Sequence, residues 1–170
     1  ANAYCNLGRI LKDQGNLKQA EESTRKAIEL NPYLAEAHTN LGNILREFGR
    51  LHESEKSYKK AIALIPDFAD ALFNLSQLQL LRGDYESGLE NFEFRFKKRS
   101  PALIHGIPQI KRVKNKILRK DKKLLVISEQ GLGDTLQYMR YIPYLRKQGY
   151  DITFCAQEKL HSLIKSSGID

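Results

Sequence analysis

The sequence predicts a mainly α-helical chain: three stacked helix hairpins, then the opening βαβα of a Rossmann-like α/β unit. Three observations carry this. Residues 1–34 and 35–68 align without a gap, with 16 identities. Glycine and proline recur at fixed offsets inside that repeat. From Lys123 onward the helical periodicity gives way to short apolar runs separated by turn residues.

A repeat of this length decides the architecture. Ala3/Ala37, Asn6/Asn40, Leu7/Leu41, Gly8/Gly42, Gly15/Gly49, Ala27/Ala61 and Pro32/Pro66 match across the first two copies. A third copy opens at Ala69 and keeps register through Ala71, Asn74, Leu75, Gly83, Tyr85 and Phe92. Its end drifts: Arg95 stands where Ala is expected and Pro101 comes one place late. In the first copy, residues 3, 7, 10 and 11 form an apolar stripe at helical spacing. Gly8 is small where two helices must approach, and Gly15 ends the first helix. A second stripe runs through Ala20, Thr24, Ala27, Ile28 and Leu30 until Asn31-Pro32 stops it. Helices are therefore expected at 2–14, 18–30, 36–48, 52–64, 70–82 and 86–98. One hairpin leaves its apolar face half exposed, so stacking supplies the core.

This 34-residue pattern resembles the tetratricopeptide repeat (TPR) over residues 1–98. The resemblance implies a right-handed superhelix that binds protein or extended peptide in a groove lined by the first helix of each repeat. It places positions 2, 5, 6, 9, 12 and 13 of that helix in the groove. Position 6 is Asn6, Asn40 and Asn74, and position 9 is Arg9, Asn43 and Gln77. An Asn offers one acceptor and two donors, so it can grip a peptide backbone whatever the side chains are. A ladder of this kind is similar to that of the O-GlcNAc transferase superhelix. The alternative is that Asn is simply common at this position and solvates the groove. Cys5, Thr39 and Phe73 at position 5 argue against a clamp for a C-terminal carboxylate, although Arg9 and Lys12 could pair with an acidic peptide. Phe73, Leu80 and Leu81 make the third groove segment more apolar, which suggests that later residues cover it.

The net charge of +8 is confined to one segment. Residues 1–96 carry 12 Lys+Arg and 14 Asp+Glu, residues 97–123 carry 11 against Asp121 alone, and residues 124–170 balance at 5 and 5. Residues 99–122 are read as a basic linker broken by Pro101, Gly106 and Pro108, with a short amphipathic helix at 111–120. A solvated linker is the plain reading. Weak attraction to an anionic membrane surface is the next. Specific nucleic-acid binding is disfavoured, because neither a DNA-reading motif nor an aromatic stacking run is present.

Leu124 to Ile127 reads as a strand buried on both faces. A glycine-bearing turn, a helix through Leu136 and Leu145 interrupted by Pro143, a strand at 151–155 and a helix at 157–166 follow. The turn is not the dinucleotide fingerprint, since position 136 is Leu. It does place backbone N–H groups at a helix N-terminus, which suits an anionic group. Asp134 is expected at the N-cap, as a plain cap or as a general base.

The run EQGLGDTLQYMRYIPYL at 129–145, behind repeats ending GDYESGLENFEFRF at 83–96, resembles bacterial TPR–glycosyltransferase proteins. Their C-terminal part is similar to heptosyltransferases of the GT-B fold. The resemblance implies Asp134 as general base and Gly131, Gly133 and Thr135 bordering the phosphates of a nucleotide sugar. Two strands do not make such a domain, so 123–170 is expected to be the start of one, inactive alone, in a longer parent. An open sheet edge would favour self-association. The chain itself implies neither cofactor nor metal: Cys5, Cys155 and the four histidines have no ligand spacing. Without a signal-like N-terminus, the expected compartment is the cytoplasm.

Overall fold

A computed structural model describes residues 1–102, 123–129 and 131–169. The chain divides into two compact units, Ala1–Pro101 and Ala102–Asp170.

The first unit is a stack of helix hairpins. α1 (Asn2–Asp13) pairs with α2 (Leu17–Leu30), α3 (Ala35–Glu47) with α4 (Leu51–Leu64), and α5 (Ala69–Leu81) with α6 (Tyr85–Phe92). The first helix of each hairpin ends in the same way. Gly15, Gly49 and Gly83 take φ of 80°, 74° and 83°. That lets the next residue donate back to a carbonyl in the last turn: Asn16 to Leu11 at 2.9 Å, Arg50 to Leu45 at 2.9 Å and Asp84 to Gln79 at 3.0 Å. These bonds satisfy carbonyls that the helix end would otherwise leave open. The Asp84 carboxylate also caps α6, accepting from the Ser87 N–H at 3.2 Å.

Within a hairpin the two helices meet at small residues. A Cβ on Gly8 would lie 2.2 Å from the Thr24 hydroxyl, and one on Gly42 would lie 2.4 Å from the Tyr58 ring. Tyr58 is fully buried and packs against Leu75 and Leu78 of the next hairpin. Its hydroxyl donates to Asn43 Oδ1 at 2.8 Å, so its polar end is satisfied. Between hairpins the core is made of alanines: Ala27 with Ala37, then Ala61 with Ala35 and Ala71. Small side chains here let successive hairpins approach closely.

Two expectations for this unit need correction. The stripe at residues 3, 7, 10 and 11 is not core in the first repeat: Leu7 and Ile10 are 43 % and 45 % exposed. Their equivalents Leu41 and Ile44 are 7 % and 0 % exposed, because α2 covers them. The last helix also stops short of residue 98. α6 ends at Phe92 and tightens into a 3-10 turn at Glu93–Phe96. Arg95 occupies the repeat position held by Ala27 and Ala61, both fully buried. A guanidinium does not fit that contact as a methyl does. It lies instead over the Phe92 and Phe96 rings, 4.4 and 4.0 Å from their centroids, and donates to the Phe92 carbonyl.

In the second unit β1 (Lys123–Ile127) and β2 (Asp151–Cys155) pair in parallel, Leu125 opposite Thr153. α7 (Leu132–Met139), α8 (Tyr141–Lys147), a 3-10 turn at Glu158–Leu160 and α9 (His161–Ser166) complete it. Ile142, Ile152, Leu160 and Ile164 are buried. The interruption expected at Pro143 falls at Arg140 instead. Proline clashes with the carbonyl four residues earlier, here that of Met139, and α7 ends there. Pro143 itself then sits in the first turn of α8, where a missing N–H costs nothing. The amphipathic helix expected at 111–120, and with it the membrane-surface reading, lies outside the described residues.

Candidate functional site

The first helices of the three hairpins jointly line a cavity of about 380 Å³ in the first unit. The repeat period explains its composition. Position 2 contributes Glu36 and Asp70, position 5 contributes Cys5 and Thr39, position 6 contributes Asn6, Asn40 and Asn74, and position 9 contributes Arg9 and Asn43. Helical spacing puts these positions on one face, and stacking aligns the three faces. Gln77 falls outside this lining, and its amide oxygen accepts from Arg46.

The three asparagines differ in what holds them. Asn6 is exposed. Asn40 reaches back to the first repeat, its amide nitrogen 3.4 Å from the Cys5 carbonyl and 3.2 Å from Cys5 Sγ. Asn74 donates to Asn43 Oδ1 at 2.9 Å, the same oxygen that receives the Tyr58 hydroxyl. Two of the three are thus fixed by bonds to the preceding hairpin. Burial pushes the Cys5 thiol above its ordinary pKa, so it is neutral at physiological pH. On the cationic side, Arg9 pairs with Asp13 at 3.6 Å, while Lys12 is held by Asp13 and Glu47. Both cations offered for an acidic peptide are thus paired, and of the two only Arg9 lines the cavity.

Sequence reasoning missed two features of this cavity. Glu36 and Asp70 occupy a groove position in the repeat register, so their spacing could have revealed them. Lys98, Arg99 and Ser100 also line the cavity, and no periodicity foretells the path of the chain after α6. Of the apolar residues expected to be covered, Phe73 packs on Phe92 with ring centroids 5.5 Å apart. Leu80 lies under α6 beside Gly88, whereas Leu81 is 70 % exposed.

In the second unit a cleft of about 760 Å³ lies beyond the carboxyl ends of β1 and β2. Gly131, Leu132, Ala156, Gln157, Glu158, Lys159 and His161 line it. Asp134 is not the N-cap of α7: Gly131 is, and Asp134 stands at the third helical position. Its carboxylate reaches back to accept from the Gly131 N–H at 3.3 Å, half of a capping box. Thr135 is buried, and its hydroxyl donates to the Gly131 carbonyl at 3.3 Å. Gly133 is exposed inside α7, with open space where a Cβ would be. Among the described residues no cluster of three or more His, Cys, Asp or Glu is placed to hold a metal, and no helix is long and apolar enough to cross a membrane.

Comparison with known proteins bears on the first unit. A family model described as tetratricopeptide repeat matches residues 1–34 and 35–68, and a second of the same description matches 57–90. No curated protein sequence matches the chain significantly. Among solved structures, the crystal structure of MamA is similar, with 24 % identity and a TM-score of 0.51 over 55 % of this chain and 54 % of that one. The chain thus spans about half the length of that structure, and the likeness is one of fold. The matched segment carries the period, the helix-ending glycines and the small-residue contacts described above. Residues 1–90 of this chain belong to the tetratricopeptide-repeat family, whose repeats form protein-interaction scaffolds.

Proposed function

We propose that the first unit holds an extended protein segment in the cavity on its first-helix face, gripping it by the backbone through Asn6, Asn40 and Asn74. One observation carries the reading: asparagines of three successive repeats line a single cavity. Asn40 and Asn74 each spend an amide N–H on the preceding hairpin, which fixes the side chain before a ligand arrives. Each still has a carbonyl oxygen to offer to a peptide N–H. Pre-ordered groups lose less entropy on binding. The test uses a pool of fluorescein-labelled decapeptides of mixed sequence, read by anisotropy. Asn40→Ala with Asn74→Ala should weaken binding about tenfold, the equivalent of one or two lost hydrogen bonds, with helicity unchanged. Equal affinity in the double variant would sink the ladder.

A second reading concerns the α/β unit and any longer protein that contains it. The cleft beyond the carboxyl ends of two parallel strands is where open α/β sheets bind ligands. Of the residues that the glycosyltransferase resemblance implies, only Gly131 lines this cleft; Asp134, the general base of that reading, stands outside the lining with its carboxylate on the Gly131 N–H. Thr135 does not fit a phosphate contact in this arrangement, since its hydroxyl is turned to the Gly131 carbonyl. Thermal shift against UDP-, GDP-, ADP- and CMP-sugars tests it. A donor at 100 times its dissociation constant adds about 2.7 kcal/mol of stability. A protein extended past Asp170 that shows no shift with any donor removes this reading.

A further inference from the structure

The cavity of the first unit is bordered on one side by the chain that leaves the last repeat, and that border is basic. Past the 3-10 turn, Lys98, Arg99 and Ser100 run along the first-helix face and join its lining. The Arg99 guanidinium bonds to the Glu36 carboxylate. The Lys98 ammonium sits 4.3 Å above the centroid of Phe73, which holds the position-5 place of the third repeat. Asp70, at the same repeat position as Glu36, also lines the cavity and has no ion-pair partner among the described residues. Without the exit segment, the charged side chains of the lining are two carboxylates and Arg9, whose charge is met by Asp13. The cavity therefore presents a cation-accepting edge beside its backbone-gripping amides.

We propose that this face takes an extended segment bearing adjacent basic residues, and that Lys98-Arg99 is its resident competitor. The proposal rests on the peptide-groove reading and names the ligand class. Two carboxylates at the same position of successive repeats suit two cationic side chains on one extended strand, and Phe73 offers a ring face to one of them. The resident pair is weakly held. The Arg99 side chain is 81 % exposed, and an ion pair so exposed contributes little. Its advantage is tethering, since a short connection gives an effective concentration of the order of millimolar. A free ligand that engages Asp70 as well as Glu36 makes one contact more than the tethered pair and can displace it.

The experiment measures anisotropy with three fluorescein-labelled peptides: Lys-Lys-Arg-Ser-Pro-Ala, which repeats residues 97–102; a version with Ser in place of the three basic residues; and one with Glu in their place. The full chain is compared with Lys98→Ser/Arg99→Ser, and with that variant further carrying Glu36→Gln and Asp70→Asn. All the altered side chains are at least partly exposed, and circular dichroism checks that each variant keeps its helicity. The basic probe should bind the Lys98→Ser/Arg99→Ser chain roughly tenfold more tightly than the unaltered chain, as expected when a tethered competitor is removed. The two carboxylate substitutions should abolish that gain. Equal binding of the basic probe to both chains, or a gain that survives Glu36→Gln/Asp70→Asn, would overturn the proposal. Equal affinity for all three probes would remove the charge selection and leave a peptide groove. Binding of no probe to any chain would remove the groove reading with it.

Discussion

The first and second repeats share 16 of 34 residues and sit in two different surroundings. Ile10 and Ile44 hold the same repeat position, yet one is 45 % exposed and the other fully buried. Leu7 and Leu41 differ in the same sense. The difference comes from the neighbour: α2 packs on α3, whereas nothing described packs on the same face of α1. An apolar stripe in a repeat thus specifies a surface made to be covered. Whether it is covered depends on the adjacent unit, because stability in a stack is a sum of hairpin and nearest-neighbour terms.

The largest expected effect sharpens this contrast. Ile44→Ala should cost about 3 kcal/mol, in the usual range for a fully buried aliphatic side chain. Ile10→Ala should cost about 1 kcal/mol or less, since much of its surface is already in water. Urea unfolding of both variants measures the gap. Equal costs would mean that α1 is covered in solution, for instance by a second molecule, and dependence of the midpoint on protein concentration would reveal that cover.

A second contrast lies inside the hairpins, where the helix crossing is solved twice with different partners. Gly8 faces Thr24, and Gly42 faces the Tyr58 ring. Gly42→Ala drives a methyl into a buried aromatic ring fixed by its bond to Asn43, and should cost about 2 kcal/mol as overpacking. Gly8→Ala meets the smaller Thr24 side chain, in a hairpin with one face open. It should cost about 1 kcal/mol, with some helix propensity regained. Thermal denaturation of the pair tests the ordering, and a reversed ordering would show that the ring yields more readily than the hydroxyl.

These contrasts also show what the sequence could carry. The hairpins were legible because glycine or proline marks the ends of the first five helices and the 34-residue period repeats the marks. The burial of Tyr58 was legible only as a position, since Thr24 and Phe92 stand at its equivalents. The early end of α6 was not foreseen: Arg95 was visible in an alanine place, but the helix was expected to run to residue 98, and the cradle of Phe92 and Phe96 that receives Arg95 depends on three-dimensional packing. In the α/β unit, the two strands were legible as short apolar runs between turn residues. The register of α7 was not, because Gly131 and Asp134 are both competent to open a helix and the choice rests on which N–H the carboxylate reaches. At the groove, the asparagines were visible through the resemblance, whereas the border made by Lys98 and Arg99 depends on where the chain turns after its last repeat.

The smallest effect concerns the charged staples between hairpins, which also come in equivalent pairs. Glu21 receives Arg25 at 2.7 Å and Arg50 of the next repeat at 3.0 Å; Glu55 receives Lys59 at 2.7 Å and Arg82 beyond α5. The hydrogen bond from Lys59 and the neighbouring charges, working against some burial, hold the Glu55 carboxyl below its ordinary pKa. A carboxyl lowered in the folded state is stabilising above its unfolded value of about 4.3. That contribution fades as pH falls through the lower folded value. Lys59 and Arg82 are 63 % and 42 % exposed, so the contribution should stay below about 1 kcal/mol. Glu55→Gln should therefore lower stability slightly at pH 7 and leave it unchanged at pH 2, flattening the acid limb of a stability–pH curve by that amount. Added salt should shrink the same difference, because exposed pairs are screened. A Glu55→Gln chain with an unaltered acid limb would show that the joint between the second and third repeats rests on its alanines and Tyr58, with the ion pairs riding on a contact that packing has already made.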